Sequence, residues 1–200
     1  MMIEAFGPRV TKAWNGLRAP TRKLLERAWD STSRSVPQVS PSPTYDPHAD
    51  DELRQLLTAL DEHVSNAEST PDRESAIRLA DACAALLSQQ TQSAEVYAQL
   101  IARAHQRSDY AQVDALAGLL PERLAPSEVC ELARAGNVVV RALAQEALTQ
   151  MPTALLAILL RDPIDSMVAR QALERQAFEF ASTEAQRALR QFDESGLEEF

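Results

Sequence analysis

Lysine is almost missing from this 200-residue chain: Lys12 and Lys23 are the only two, and arginine carries the rest of its positive charge. Glycine is scarce as well, with five residues, and no GxxxxGK[ST], GxGxxG or GxSxG occurs. Loops that cradle phosphates need such glycines, so nucleotide binding is disfavoured. Cysteine is limited to Cys83 and Cys130, both inside helical patterns and neither in a CxxC or metal spacing. They read as buried small hydrophobes of a reducing compartment. The three histidines, His48, His63 and His105, are scattered and form no HExxH, so they read as surface or partly solvated side chains. Neither a metal nor a cofactor is expected. The longest apolar run, Ala154 to Leu160, falls far short of the ~18–20 residues of a membrane span. At the amino terminus, Gly7-Pro8 and Pro20 interrupt any apolar core of a secretory signal. Aromatics make up only 5% of the chain, and with Ala and Leu abundant this favours an all-α protein over twisted sheets.

What is present is unevenly placed. Residues 1 to 36 hold seven basic side chains against Glu4, Glu26 and Asp30, about +4, so the remainder carries about −13 of the net −9. Both tryptophans, Trp14 and Trp29, lie in that basic part. Pro8 is placed to open a helix on which Val10, Ala13, Trp14 and Leu17 share one face, with Arg9, Lys12 and Arg18 off it. Pro20 interrupts the pattern, which restarts with Leu24, Leu25 and Ala28, giving a kinked or two-part basic amphipathic segment over 1–30. The stretch 31–47 holds four prolines and five serines with no apolar periodicity, and reads as a flexible linker. Residues 48–193 read as one helical domain, followed by an acidic tail at 194–200.

Inside that domain Asp50 is placed to cap a helix with Leu53, Leu56, Leu57, Leu60 and Val64 on its apolar face. Thr70-Pro71 starts another, through Ile77, Leu79, Ala80, Cys83, Ala84 and Leu87. Further helices are expected near 93–106, 109–119, 126–135, 137–150, 152–161, 164–180 and 183–193. Pro121 should end one of them, Gly136 should form a left-handed C-cap, and Pro126, Pro152 and Pro163 belong in first turns.

Asn137 followed by Val138-Val139-Val140-Arg141-Ala142-Leu143-Ala144, with Leu155, Leu156, Leu159 and Leu160 on the next helix, resembles a HEAT repeat. A second copy begins at Asp165 with Met167-Val168-Ala169-Arg170, where Ala169 replaces the family's usual Arg. Comparable marks fall at Ile77 and Val113. Tyr97, Leu100, Ala104, Ser108-Asp109-Tyr110 and Ala115 are similar to a tetratricopeptide repeat that lacks its Trp, Gly and Pro marks. The HEAT resemblance extends loosely over 70–180 and specifically over 126–175. It implies a right-handed stack of antiparallel helix pairs, an α-solenoid. Small residues such as Ala142, Ala144, Ala147, Ala169 and Ala172 suit the close helix approach that such a stack requires.

No catalytic constellation accompanies this pattern. Asp50-Asp51-Glu52 and Asp61-Glu62 read as helix-surface carboxylates, and Ser127, Glu128 and Cys130 lack a histidine partner. The strongly acidic body disfavours nucleic acid, and Glu174, Glu179 and Glu184 interleave with Arg161, Arg170, Arg175, Arg187 and Arg190. The expected role is a noncatalytic scaffold or adaptor for a protein or peptide partner. Docking is assigned to Arg9, Val10, Lys12, Trp14, Leu17, Arg18, Lys23, Leu24, Leu25 and Trp29. The indoles have three possible destinations: an anionic membrane surface, a partner's groove, or the exposed end of the chain's own array. A peripheral membrane-associated assembly factor is therefore the first alternative. A HEAT-like enzyme such as a DNA glycosylase or tetrapyrrole lyase, implied by the resemblance alone, is the second. A bacterial cytoplasmic location is the default. The Arg-rich, acid-poor amino terminus also overlaps in character with an organelle transit peptide.

Overall fold

A computed structural model describes residues 3–32, 46–66 and 71–197, and among them every regular element is helical. The chain divides into two compact units, residues 1–92 and 93–200, so the division falls inside the span that periodicity alone groups together. Most of the Pro/Ser-rich stretch, 33–45, and the end of the acidic tail, 198–200, lie outside the described residues. None of the helices among those residues is long and apolar enough to cross a membrane.

The first unit begins with a 3-10 turn, Ile3–Phe6, followed by α1 (Pro8–Gly16), α2 (Ala19–Thr32), α3 (Pro47–Asn66) and α4 (Pro71–Gln90). Gly7 takes φ +87°, a value that costs an L side chain dearly, and this turns the chain into Pro8 at the start of α1. The break near Pro20 falls two residues earlier than the proline itself. The amide of Leu17 closes α1 on the carbonyl of Trp14, and Pro20 then sits in the first turn of α2, where its missing N–H is harmless. The helices α3 and α4 pack on each other, with α1 against α3 and α2 against α4. Their core is leucine: Leu53, Leu56, Leu57 and Leu60 of α3 meet Leu79 and Leu87 of α4, all fully buried. Asp50 is not the cap of α3. The helix starts earlier, Asp46 accepts from the amide of His48 at 3.0 Å, and Asp50 lies buried in the first turn.

The second unit comprises α5 (Ala94–Gln106), α6 (Tyr110–Arg123), α7 (Pro126–Ala133), α8 (Val138–Thr149), α9 (Thr153–Leu159), α10 (Ser166–Phe178) and α11 (Thr183–Leu197). The pairs α5/α6, α7/α8 and α9/α10 pack internally. Between pairs, α5 contacts α7, α7 contacts α9 and α9 contacts α11, while α6 contacts α8 and α8 contacts α10. Short polar side chains cap α6 and α8, and another closes the turn that precedes α10. Asp109 accepts from the amide of Gln112, Asn137 from those of Val139 and Val140, and Asp162 from those of Ile164 and Asp165. Three expectations fail locally. Pro163 lies in the turn before α10, not in its first helical turn. Pro121 does not end α6, which continues to Arg123 because a proline in the last turn forfeits only one backbone bond. Gly136 is not left-handed; α7 closes at Arg134 with an ordinary right-handed cap, and the positive φ values fall at Ser108 (57°) and Ala181 (53°) instead.

Candidate interaction surfaces

The basic amino-terminal helices carry their apolar face into the first unit. Val10, Leu17 and Leu25 are buried, Trp14, Leu24 and Trp29 are half-buried, and Arg9, Lys12, Arg18 and Lys23 are exposed. Burial of each aliphatic side chain contributes roughly 1.5–3 kcal/mol. Carboxylates of α3 and its approach hold the cations: Arg9 pairs with Glu62, and Arg18 pairs with Glu52 at 2.6 Å and Asp46 at 2.8 Å. Hydrogen bonding to Asp46, then to Glu52, raises the Arg18 pKa, and the same guanidinium lowers that of Asp46. At Glu52 burial pushes upward, but hydrogen bonding to Thr21, followed by the bonds and charge of Arg18, outweighs it and the net shift is down. Each indole has a guanidinium over its face: Arg22 lies 5.5 Å from the Trp14 ring centroid and Arg78 lies 5.6 Å from that of Trp29. Arg22 also donates to the carbonyl of Trp14 at 3.1 Å.

The second unit leaves larger apolar side chains in water. Between α8 and α10 lies a groove of about 390 Å³, lined by Leu148, Val168, Ala172 and Phe178, with Gln145, Gln171, Glu174, Arg175 and Glu179 around them. Phe178 is 80% exposed. The charges at this groove are bridged. Arg175 holds Glu146 at 3.0 Å and Glu179 at 3.1 Å, while Arg170 holds Glu174 at 3.0 Å and Asp193 at 2.8 Å. Two of these, Arg170 with Glu174 and Arg175 with Glu179, are the i,i+4 pairs that the interleaved sequence predicts. A second cleft of about 350 Å³ lies between α9 and α11, lined by Ala157, Ile158, Leu160, Arg161, Ala188, Gln191 and Phe192. A row of exposed apolar residues, Tyr110, Val138 and Met167, opens α6, α8 and α10.

The groove residues escape sequence reasoning because Val168 and Phe178 fall off the buried stripe of α10, formed by Ala169, Ala172, Leu173, Gln176 and Ala177. The one available signal was the Phe178-Glu179-Phe180 triplet, two aromatics with no helical reason to be buried.

Glu128 accepts from the Ala94 amide at 2.9 Å and so caps α5. Burial, with the nearby Asp165 carboxylate, pushes the Cys130 thiol up to about 12, leaving it protonated at neutral pH. Cys83 donates to the Leu53 carbonyl at 3.2 Å. His48 and His105 are exposed, and the ring of half-buried His63 lies tilted against that of Phe6, centroids 5.8 Å apart. Among the described residues no group of three or more His, Cys, Asp or Glu is arranged to hold a metal ion. No protein-family model matches this chain, and searches of curated proteins and of solved structures return no match either.

Proposed function

We propose that this protein is a noncatalytic scaffold in which a HEAT-like, right-handed stack of helix pairs presents a docking surface to a protein or peptide partner. One observation carries the reading: α5, α7, α9 and α11 contact in succession and α6, α8 and α10 do the same, so every helix pair from α5 to α10 meets the next through both of its helices. That arrangement makes an extended face from repeated units, each of which supplies the burial that its neighbour lacks. The exposed Phe178, Met167 and Ile164 support a docking role for the second unit.

A second reading, attachment of the amino-terminal helices to an anionic membrane surface, is supported by the exposed Lys12 and Lys23. In the arrangement seen here Val10, Leu17 and Leu25 are buried, so membrane binding through the apolar face requires these helices to leave the first unit. Cosedimentation of the full chain with anionic and neutral vesicles tests this, and recovery with neither removes it. The scaffold reading is tested by isolating the tagged full chain from its native cells after mild crosslinking. A stoichiometric protein partner is the expected result; recovery of the chain alone, at several crosslinker doses, overturns the reading.

A further inference from the structure

We infer that the groove between α8 and α10 receives a basic segment of a protein partner, one large apolar side chain resting against Phe178 with lysine or arginine on either side of it. This rests on the scaffold reading above and supplies its site and the chemistry of its partner. The apolar half of the argument is Phe178, 80% exposed at the lip of a groove floored by Leu148, Val168 and Ala172. Phe180, two residues further along the chain, is 58% exposed. A large aromatic side chain in water gains more from a desolvating partner than any other apolar group on this groove.

Charge decides what that partner is. Two carboxylates, Glu174 and Glu179, line the groove with one guanidinium, Arg175, and the ion-pair network beside them adds the carboxylates Glu146 and Asp193 but only one more guanidinium, Arg170. Each of the four side chains remains between 44% and 53% exposed, so oxygens are left over for an incoming cation. The next cation along α8, Arg141, donates to the carbonyl of Ala135 at 3.0 Å and is thereby held on the loop. The groove therefore carries an excess of negative charge around an apolar centre, in a chain of net charge −9. A basic segment meets complementary charge and associates faster at low salt, whereas an acidic one meets repulsion.

The test is selection of a displayed library of random twelve-residue peptides against the full chain, followed by affinity measurement on the enriched sequences. The expected consensus has one large apolar residue flanked by lysine or arginine, and its binding weakens as salt rises. Phe178→Ser and Glu179→Lys should each weaken binding at least tenfold, with Ile158→Ser in the α9–α11 cleft changing it less than twofold. Thermal melts of all three variants establish that they fold. Acidic or neutral consensus sequences overturn the inference, as does basic-peptide binding that survives both groove variants. In that second case peptides still bind elsewhere, and the scaffold reading stands. Sedimentation velocity gives a further overturning result: self-association abolished by Phe178→Ser would assign the groove to a second copy of this chain. No enriched peptide at all overturns the groove assignment, and only the additional absence of a native partner removes the scaffold reading with it.

Discussion

Asp165 occupies the N-cap position of α10, yet its carboxylate reaches back across the second unit and accepts from the Arg134 guanidinium at 2.6 Å. Asp162 instead bonds the amides of Ile164 and Asp165 in the turn before α10, and those bonds hold its own carboxyl below the usual range. The Asp165 carboxylate, nearly buried at 7% exposed, ties the end of α7 to the start of α10. Successive helix pairs are thus joined by charge as well as by leucine packing.

Arg134→Ala should destabilise the protein by about 1–3 kcal/mol, because it leaves the Asp165 carboxylate buried with its main partner gone. Urea denaturation of the full chain checks this. The double variant with Asp165→Ala should recover part of the loss, and strict additivity would show that the pair is not coupled.

Gln176 is a buried polar joint. Its amide donates to the carbonyls of Thr149 at 3.0 Å and Met151 at 2.7 Å, and its oxygen accepts from the Thr153 hydroxyl at 3.0 Å. Gln176→Leu preserves volume but strands these groups, so a loss of about 2–4 kcal/mol is expected. A chemical-denaturation midpoint equal to wild type would mean that solvent reaches the joint.

Acid should loosen the first unit in a predictable order. Asp46 and Glu52 have folded-state pKa values below their unfolded ones, so their contribution is present above about pH 4 and is lost as pH falls through the folded values. Arg18→Gln removes the chief cause of the Asp46 shift and should flatten the acid limb of the stability curve below about pH 4. Thermal melts from neutral pH down to about pH 3 compare the two chains, and parallel curves would contradict the assignment.

The cysteines should be inert while the protein is folded. Cys130 is buried with its thiol pushed up to about 12, and Cys83 is buried on a backbone carbonyl. Neither should react with a thiol-specific disulfide reagent at pH near 8 until denaturant is added. Because the folded pKa of Cys130 exceeds the unfolded one, its linkage makes stability fall as pH rises above about 8.5. Rapid labelling of the native chain would contradict both expectations.

Much of the helical order is legible from local pattern. Leu53, Leu56, Leu57 and Leu60 repeat at helical spacing and fill the core of the first unit, and Asn137 caps α8 where a polar residue precedes an apolar run. Asp50, Pro121 and Gly136 depart from the local pattern because a residue type has more than one role at a helix end: Asp46 supplies the first-turn bond of α3, Pro121 is tolerated in the last turn of α6, and α7 closes at Arg134 without a left-handed residue. The groove has another origin, since Leu148 of α8 meets Val168 and Arg175 of α10 only when the two helices lie side by side.

By itself the sequence determined the all-α class, the approximate bounds of most helices and the basic character of the amino terminus. Those follow from period, propensity and charge, which act over a few residues at a time. Tertiary structure decided that the arginines of α1 and its junction with α2 meet Glu62, Glu52 and Asp46. It also decided that Phe178 stays in water beside an excess of carboxylates while Leu173, five residues earlier on the same helix, is buried. The physical reason is that burial and ion pairing depend on which helix faces lie opposite each other, and a one-dimensional pattern shows that a face is apolar without showing what covers it.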